Sequence, residues 1–278
     1  MAELTRKEVV QLLAVAGGPD RGARLAGVDL SGLDLRGLNF QNADLRGADL
    51  TDALLHRACL RAAQLCEALA RRADLTGADL GGADLTQAKF NDALLARAVL
   101  NGAVGVSADL VGADCQYASF REARFTMADL GSADLSHAVL AHARFAKVHL
   151  GGADLVDASA HGADLAEANL DLADCTRADF SRAYLQRASL IESNLTWAKL
   201  CDANLGGAIL LRTRLEHADC SRAVLRAAQL GGAALRDANL SGATLRDAVL
   251  DESALAYATL VETTLPDGTL FTDQTPAS

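Results

Sequence analysis

The chain has few aromatic residues, few prolines and no long apolar run. Aromatic side chains make up 4% of its 278 residues, and only three prolines are present. The longest apolar stretches, such as residues 12–16, span about five residues, far short of the roughly 20 needed to cross a bilayer. We therefore expect neither a transmembrane helix nor a secretory signal.

Cysteines and basic side chains are also scarce. The six cysteines form no CxxC pair, which argues against a zinc site and a disulfide scaffold and favours a reducing, cytoplasmic location. Twenty-six basic residues against 36 acidic ones give a net charge of −10. This balance excludes a protein that binds nucleic acid through bulk positive charge, and a charged partner is expected to be basic.

What the sequence does contain is a repeat of five residues. Of the 50 positions at every fifth residue from Leu25 to Leu270, all but six hold Leu or Phe, here called the central residue. Ala dominates two positions earlier, and Asp or Asn is common one position earlier, as in residues 43–50, ADLRGADL. The exceptions at the central position are Ala70, Gly105, Cys115, Ala160, Cys175 and Cys220.

A period of five matches neither the 3.6 residues of an α-helix nor the alternation of a long strand. In extended backbone, residues two apart point to the same side, so Ala and the central residue can both face inward. The other two residues then form a corner, and 18 of the 23 glycines lie there. We therefore predict a coil that turns every five residues. Gly105 and Ala160 are expected to leave narrow, locally weak spots in its core.

The tandem A(D/N)LXX units resemble the pentapeptide repeat family, and the resemblance covers about 245 of the 278 residues. It implies an all-β fold: a right-handed quadrilateral β-helix of about 12 coils, with about 20 residues per coil. On this basis we expect a capping helix and lead-in over residues 1–20, the β-helix over 21–265, and a turn and polar tail over 266–278.

Both ends of such a coil need covering, because they expose unpaired backbone. Thr5 and Glu8 form a capping box, and residues 5–16 are predicted as an amphipathic helix with Val9, Leu12, Leu13 and Ala16 on its apolar face. A helix that binds a partner or a membrane surface is the alternative. The register is expected to run unbroken to about residue 265, and the resemblance leaves a homodimer through the C-terminal end open.

No catalytic motif is present. Phosphate loops, nucleophile elbows and Ser/His/Asp arrangements are absent from the sequence, and the many Ala-Asp pairs belong to the repeat. We expect no catalytic residue, no metal, no cofactor and no enzymatic activity.

Acidic residues cluster in the middle of the chain, where residues 101–180 carry 12 acids and five bases. With about 20 residues per coil, one column of aspartates and the start of a second are predicted on neighbouring faces. Their charge has two readings. One is structural, because 16 of the 27 aspartates precede a central residue, where a carboxylate can accept corner hydrogen bonds. The two columns comprise Asp114, Asp134, Asp154 and Asp174, and Asp109 with Asp129.

The functional reading comes from the resemblance, since some members of the family protect DNA gyrase and related topoisomerases by presenting a DNA-like acidic surface. We therefore predict a protein partner, with gyrase or another type II topoisomerase as the sharper hypothesis and the six aspartates as contacts. The rival hypothesis is a rigid protein-binding scaffold with no topoisomerase role. Its predicted contacts are the exposed aromatics of one corner column, Tyr117, Trp197 and Tyr257, with His137 and His217 between them.

Overall fold

A computed structural model describes residues 4–15 and 22–272. An α-helix, α1, spans Arg6–Val15. From residue 24 onward, a two-residue turn and a single bridging residue alternate every five positions. Near the C-terminus a 3₁₀ helix spans Glu252–Leu255, and strands β1 (Thr263–Thr264) and β2 (Leu270–Phe271) form an antiparallel hairpin that pairs Thr263 with Phe271.

The chain divides into two compact units, Met1–Arg144 and Phe145–Ser278. Within each unit, residues 20 apart form parallel bridges: Arg24 with Asp44 in the first unit, for example, and Asp154 with Asp174 in the second. Each 20-residue stretch, here called a coil, therefore contains four turns and stacks on the next coil of its unit. This register is that of a β-helix.

Backbone hydrogen bonds hold neighbouring coils together. The amide of Leu45 donates to the carbonyl of Gln64 at 2.8 Å, and the amide of Asp44 donates to the carbonyl of Ala23 at 2.9 Å. Within the repeat, the amide of Ala48 donates to the carbonyl of Leu45 at 3.0 Å and closes the corner. The short sides thus satisfy their backbone groups without long strands.

The predicted inward positions are buried. The central Leu or Phe and the Ala two residues before it fill the interior of both units. Ala43, Leu45 and Phe90, for example, are fully inaccessible to solvent. The three cysteines at central positions are also buried, and burial raises the pKa of the Cys220 thiol to about 12. They act as small core residues.

The corner position, two residues after the central one, has a left-handed backbone. Glycine occupies it at sites such as Gly47, but most described corners hold residues with a Cβ, at φ between 52° and 63°. This conformation costs roughly 1–2 kcal/mol for a residue with a Cβ. Corner amides donate to the next coil, as Asp52 does to the carbonyl of Arg71 at 3.0 Å, and these bonds help to hold the corners in place.

The expectation of a narrow, weak spot at Gly105 is wrong. A Cβ on Gly105 would lie 2.3 Å from the ring of Phe125, so the phenyl ring of the neighbouring coil already occupies that space. Ala70 and Ala160 likewise precede Phe90 and Phe180 by 20 residues. Small and large central residues therefore compensate for each other in adjacent coils.

The N-terminal helix begins with the predicted capping box. The amide and hydroxyl of Thr5 donate to Glu8 Oε2 at 2.7 and 2.8 Å, and the Arg6 guanidinium donates to the carbonyl and carboxylate of Asp34. The predicted apolar face is only partly buried: Val9 is inaccessible, whereas Leu12 is 42% exposed. Ala16, the rest of the predicted lead-in to residue 20, and residue 21 lie outside the described residues.

The predicted turn at residues 266–268 is present, and the 20-residue register continues to Thr264, which bridges to Thr244, although one side of the coil before it is irregular. The 3₁₀ helix at Glu252–Leu255 replaces one side of the coil. The Asp251 carboxylate accepts the Gly232 amide at 2.9 Å, in place of a backbone carbonyl. Phe271 lies 20 residues after Asp251 and would stack on it in a regular coil. It pairs with Thr263 in the hairpin instead, so this side does not continue. Residues 273–278 of the predicted tail lie outside the described residues.

Candidate functional site

The predicted aspartates stack in pairs on adjacent coils. Asp109 bridges to Asp129 and Asp114 to Asp134 in the first unit, while Asp154 bridges to Asp174 in the second. All six side chains are partly exposed. Adjacent coils are about 4.8 Å apart, so each pair places two negative charges side by side.

Each of these carboxylates also has a local structural role. Asp129 accepts the amide of Gly131 at 2.9 Å, and Asp154 accepts the amide of Val156 at 2.8 Å, two residues ahead in both cases. This bond recurs throughout both units. The predicted hydrogen bond from the corner backbone to these carboxylates is therefore present.

The negative charge, however, is not needed for that bond. Asn194 and Asn204 occupy the same position and accept the amides of Thr196 and Gly206 through Oδ1, both at 3.1 Å. The choice between Asp and Asn therefore sets the surface charge while keeping the same turn. In the second unit, residues 145–180 hold seven acids and two bases, whereas residues 181–250 hold six acids and nine bases.

Some carboxylates elsewhere in the chain are neutralised by arginines. Arg222 donates to both oxygens of Asp202 at 2.7 and 2.8 Å, and this hydrogen-bonded pair lowers the pKa of that carboxyl. Arg72 and Asp52 form the same pair between corners 20 residues apart. Among the described residues, none of the six candidate aspartates forms such an ion pair, although side-chain amides contact three of them: Asn91 donates to Asp109, Gln116 to Asp134 and Asn194 to Asp174. The corner ion pairs could have been recognised in the sequence from opposite charges 20 positions apart.

The predicted aromatic corners are occupied by stacked rings. Tyr117 and His137 lie 4.7 Å apart with an interplanar angle of 9°, and the Arg97 guanidinium lies 5.1 Å from the Tyr117 ring. In the second unit, Trp197 and His217 lie 4.1 Å apart at 10°.

Two further residues extend the aromatic column of the second unit. His217 Nδ1 is 3.7 Å from Asp237 Oδ2, and the Asp237 amide donates to the Tyr257 carbonyl. Tyr257 itself is 74% exposed, so its ring is accessible to a partner.

The acidic and aromatic candidates meet in the first unit. Tyr117 and His137 form the corner that directly follows the side bearing Asp114 and Asp134. In the second unit, Asn194 stacks on Asp174, and Trp197 follows it at the corner. The two candidate sets are thus neighbours on one side of a coil rather than separate surfaces.

Two kinds of site have no counterpart in the described parts of the chain. None of the helices there is long and apolar enough to span a membrane. Residues 4–15 and 22–272 also bring no three His, Cys, Asp or Glu side chains together in a group that could hold a metal ion.

Stacked 20-residue coils with buried central residues define a repeat protein of the β-helix class. A family model described as pentapeptide repeats matches eight copies, which extend from residues 21–52 at the first to residues 228–267 at the last. The chain belongs to the pentapeptide repeat family.

Several solved structures are similar to this chain. HetL, a pentapeptide repeat protein involved in heterocyst differentiation regulation in the cyanobacterium Nostoc sp. strain PCC 7120, is 29% identical over 98% of this chain and 100% of its own, with a TM-score of 0.39. A thylakoid lumen pentapeptide repeat protein from Arabidopsis thaliana is 35% identical over 36% of this chain and 66% of its own, at 0.30. QnrB1, a plasmid-mediated fluoroquinolone resistance protein, is 16% identical over 79% and 92%, at 0.29. No curated protein matches the chain.

Proposed function

We propose that this protein is a non-enzymatic binding protein of the cytoplasm that uses stacked aspartates to contact a basic protein surface. The sharper form is an acidic partial mimic of DNA that binds gyrase or another type II topoisomerase and protects it from inhibitors. One observation carries the proposal: the aspartates stand in pairs at positions where Asn makes the same turn without the charge.

Electrostatics supports this proposal. Two like charges about 4.8 Å apart repel by roughly 1 kcal/mol even in water. The repeat offers a neutral alternative, so the retained charge favours a role outside the fold. Duplex DNA carries one charge per roughly 1.7 Å of its axis. Each face of this protein offers at most one carboxylate per coil, which is a less dense array of charge, so the proposed mimicry is partial.

Three further features are implied by the family resemblance. These are the right-handed, four-sided winding, the count of about 12 coils, and the option of a homodimer through the C-terminal end. None of them alters which aspartates stack within a unit.

The test is a gyrase supercoiling assay in the presence of a topoisomerase poison. Replacing Asp114, Asp134, Asp154 and Asp174 together by Asn is expected to abolish protection, because the turns remain while four charges disappear. The control replaces Asp29, Asp49, Asp74 and Asp84 by Asn, which removes four charges from the same repeat position outside the acidic region. Protection that survives the first set, or is lost equally in both, would show that these four charges have no specific role.

The stacked aromatic corners favour a second candidate, a protein-binding scaffold with no topoisomerase role. Trp197 is 56% exposed and Tyr257 is 74% exposed, and exposed aromatics are frequent interface anchors. This candidate expects no effect on gyrase. It also expects a cellular partner that loses affinity when Trp197 or Tyr257 is replaced by Ala, whereas Tyr184→Ala, at an exposed position on another side, leaves affinity unchanged.

A further inference from the structure

One side of the second unit has an apolar edge that the repeat does not require. The side carries Asp154, Asp174, Asn194 and Arg214, which bridge from coil to coil. It is named here the 154–214 side. In each coil one corner precedes this side and another corner follows it. These two corners form the two edges of the side.

The preceding corner holds Leu172, Ile191 and Leu211. Leu172 is 65% exposed at φ 61°, while Ile191 and Leu211 are half-buried in the next two coils. The backbone amide of Leu172 donates to the Ile191 carbonyl at 2.9 Å, so Leu172 and Ile191 are neighbours. A leucine here is unfavourable twice, because the backbone is left-handed and the apolar side chain faces water. Gly152 and Gly232 take the same corner in other coils without either cost.

The following corner holds Trp197, which is also costly. It is 56% exposed at φ 63°, and one face of its ring stacks on His217. The 154–214 side is therefore bounded by an apolar edge and an aromatic edge.

Charge is distributed unevenly between these edges. Among the described residues, Asp154, Asp171 and Asp174 form no ion pair. Asp154 and Asp174 lie in the first part of the side, and Asp171 lies in its preceding corner. Further along, Arg212 pairs with Glu192 at 2.5 Å, and Arg214 lies 3.7 Å from Glu216. The uncompensated charge is thus negative and lies beside Leu172.

We infer that the 154–214 side binds a protein segment that carries apolar side chains together with lysine or arginine. The apolar side chains cover Leu172, Ile191 and Leu211, and the cations face Asp154 and Asp174. This inference rests on the proposed function and deepens it, since charge complementarity fixes the sign of the partner and the apolar edge adds a contact that charge mimicry does not need.

Trp197 is the only tryptophan of the chain and so reports on its own side. The experiment titrates the full-length protein with three short tryptophan-free peptides, composed of leucine and lysine, of serine and lysine, and of leucine and glutamate. We expect the leucine–lysine peptide to bind saturably and shift Trp197 emission to shorter wavelength. The other two should bind at least roughly tenfold more weakly.

Leu172→Gly is the decisive variant, because glycine relieves the left-handed backbone and cannot disturb the fold there. It should weaken binding of the leucine–lysine peptide roughly tenfold. Met127→Gly is the matched control: Met127 is 54% exposed at φ 59° in the first unit, and its replacement should leave binding unchanged. Equal binding of the serine–lysine peptide, or an equal loss in both glycine variants, would overturn the inference.

The outcome separates this inference from the proposed function. If the peptide selectivity and the Leu172→Gly effect hold while gyrase is not protected, the inference stands and the topoisomerase proposal falls. If the quadruple Asp→Asn variant loses protection while Leu172→Gly changes neither peptide binding nor protection, the topoisomerase proposal stands and the inference falls.

Discussion

At the scale of single residues, Gly105 and Phe125 show that a small and a large central residue in adjacent coils can share one space. Gly105 has no Cβ because the Phe125 ring lies where one would be. Its φ is not in the left-handed range, so space rather than backbone conformation explains the glycine.

Gly105→Leu should therefore lower the free energy of unfolding by about 3 kcal/mol through overpacking. Adding Phe125→Leu should restore most of the loss, because two leucines are the usual pair at this position. Urea denaturation of both variants and of Phe125→Leu alone measures this coupling. Equal destabilisation with and without Phe125→Leu would show that the two residues do not share space.

The sequence predicted the inward pattern but not this compensation. A period of five follows from single residues, whereas the pairing of Gly105 with Phe125 depends on which residues stack, and so on the length of the coil. The same limit applies to the candidate site. The aspartates could be placed by spacing, but Leu172 and Ile191 look like scattered surface residues until the edge of one side is recognised.

At the scale of the structural element, the corner is the strained part of the repeat. Sterics favour glycine there, yet Ala62 and Trp197 adopt the same left-handed conformation. Hydrogen bonds from the corner amide to the next coil hold this conformation. The amide of Ala62, for example, donates to the Gly81 carbonyl at 2.9 Å. Sequence preference alone could not show that these bonds override the steric cost.

Ala62→Gly should consequently stabilise the protein by about 0.5 kcal/mol, since relief of the left-handed strain exceeds the added entropy of the unfolded chain. The neighbouring Ala63→Gly is the control, because Ala63 is buried and has an ordinary backbone, and its replacement should destabilise by about 1 kcal/mol. Thermal unfolding of the two variants gives the comparison. A stability loss in both would mean that the corner is not strained.

At the scale of the whole molecule, carboxylate–arginine pairs link stability to pH. Hydrogen bonds from Arg36 lower the pKa of Asp34, and those from Arg72 lower the pKa of Asp52. Because the folded-state pKa is depressed, this stabilisation is present above the ordinary value of 3.8 and is lost as the pH falls below it.

The melting temperature should therefore decline as the pH is lowered below about 4. In Asp52→Asn combined with Arg72→Gln, the decline should be smaller, because that variant has no pair to lose. A melting temperature that rises on acidification, or an unchanged decline in the double variant, would contradict this assignment. Thermal scans across acidic pH values provide the measurement.

We propose that the charge of the stacked aspartates serves a partner and not the fold. Equilibrium urea denaturation of the variant with Asp114, Asp134, Asp154 and Asp174 replaced by Asn tests it most directly. We expect the free energy of unfolding to change by less than about 2 kcal/mol in total, since Asn keeps the turn bond and like-charge repulsion is removed. A loss of about 4 kcal/mol or more, roughly one for each carboxylate, would show that the charge is structural.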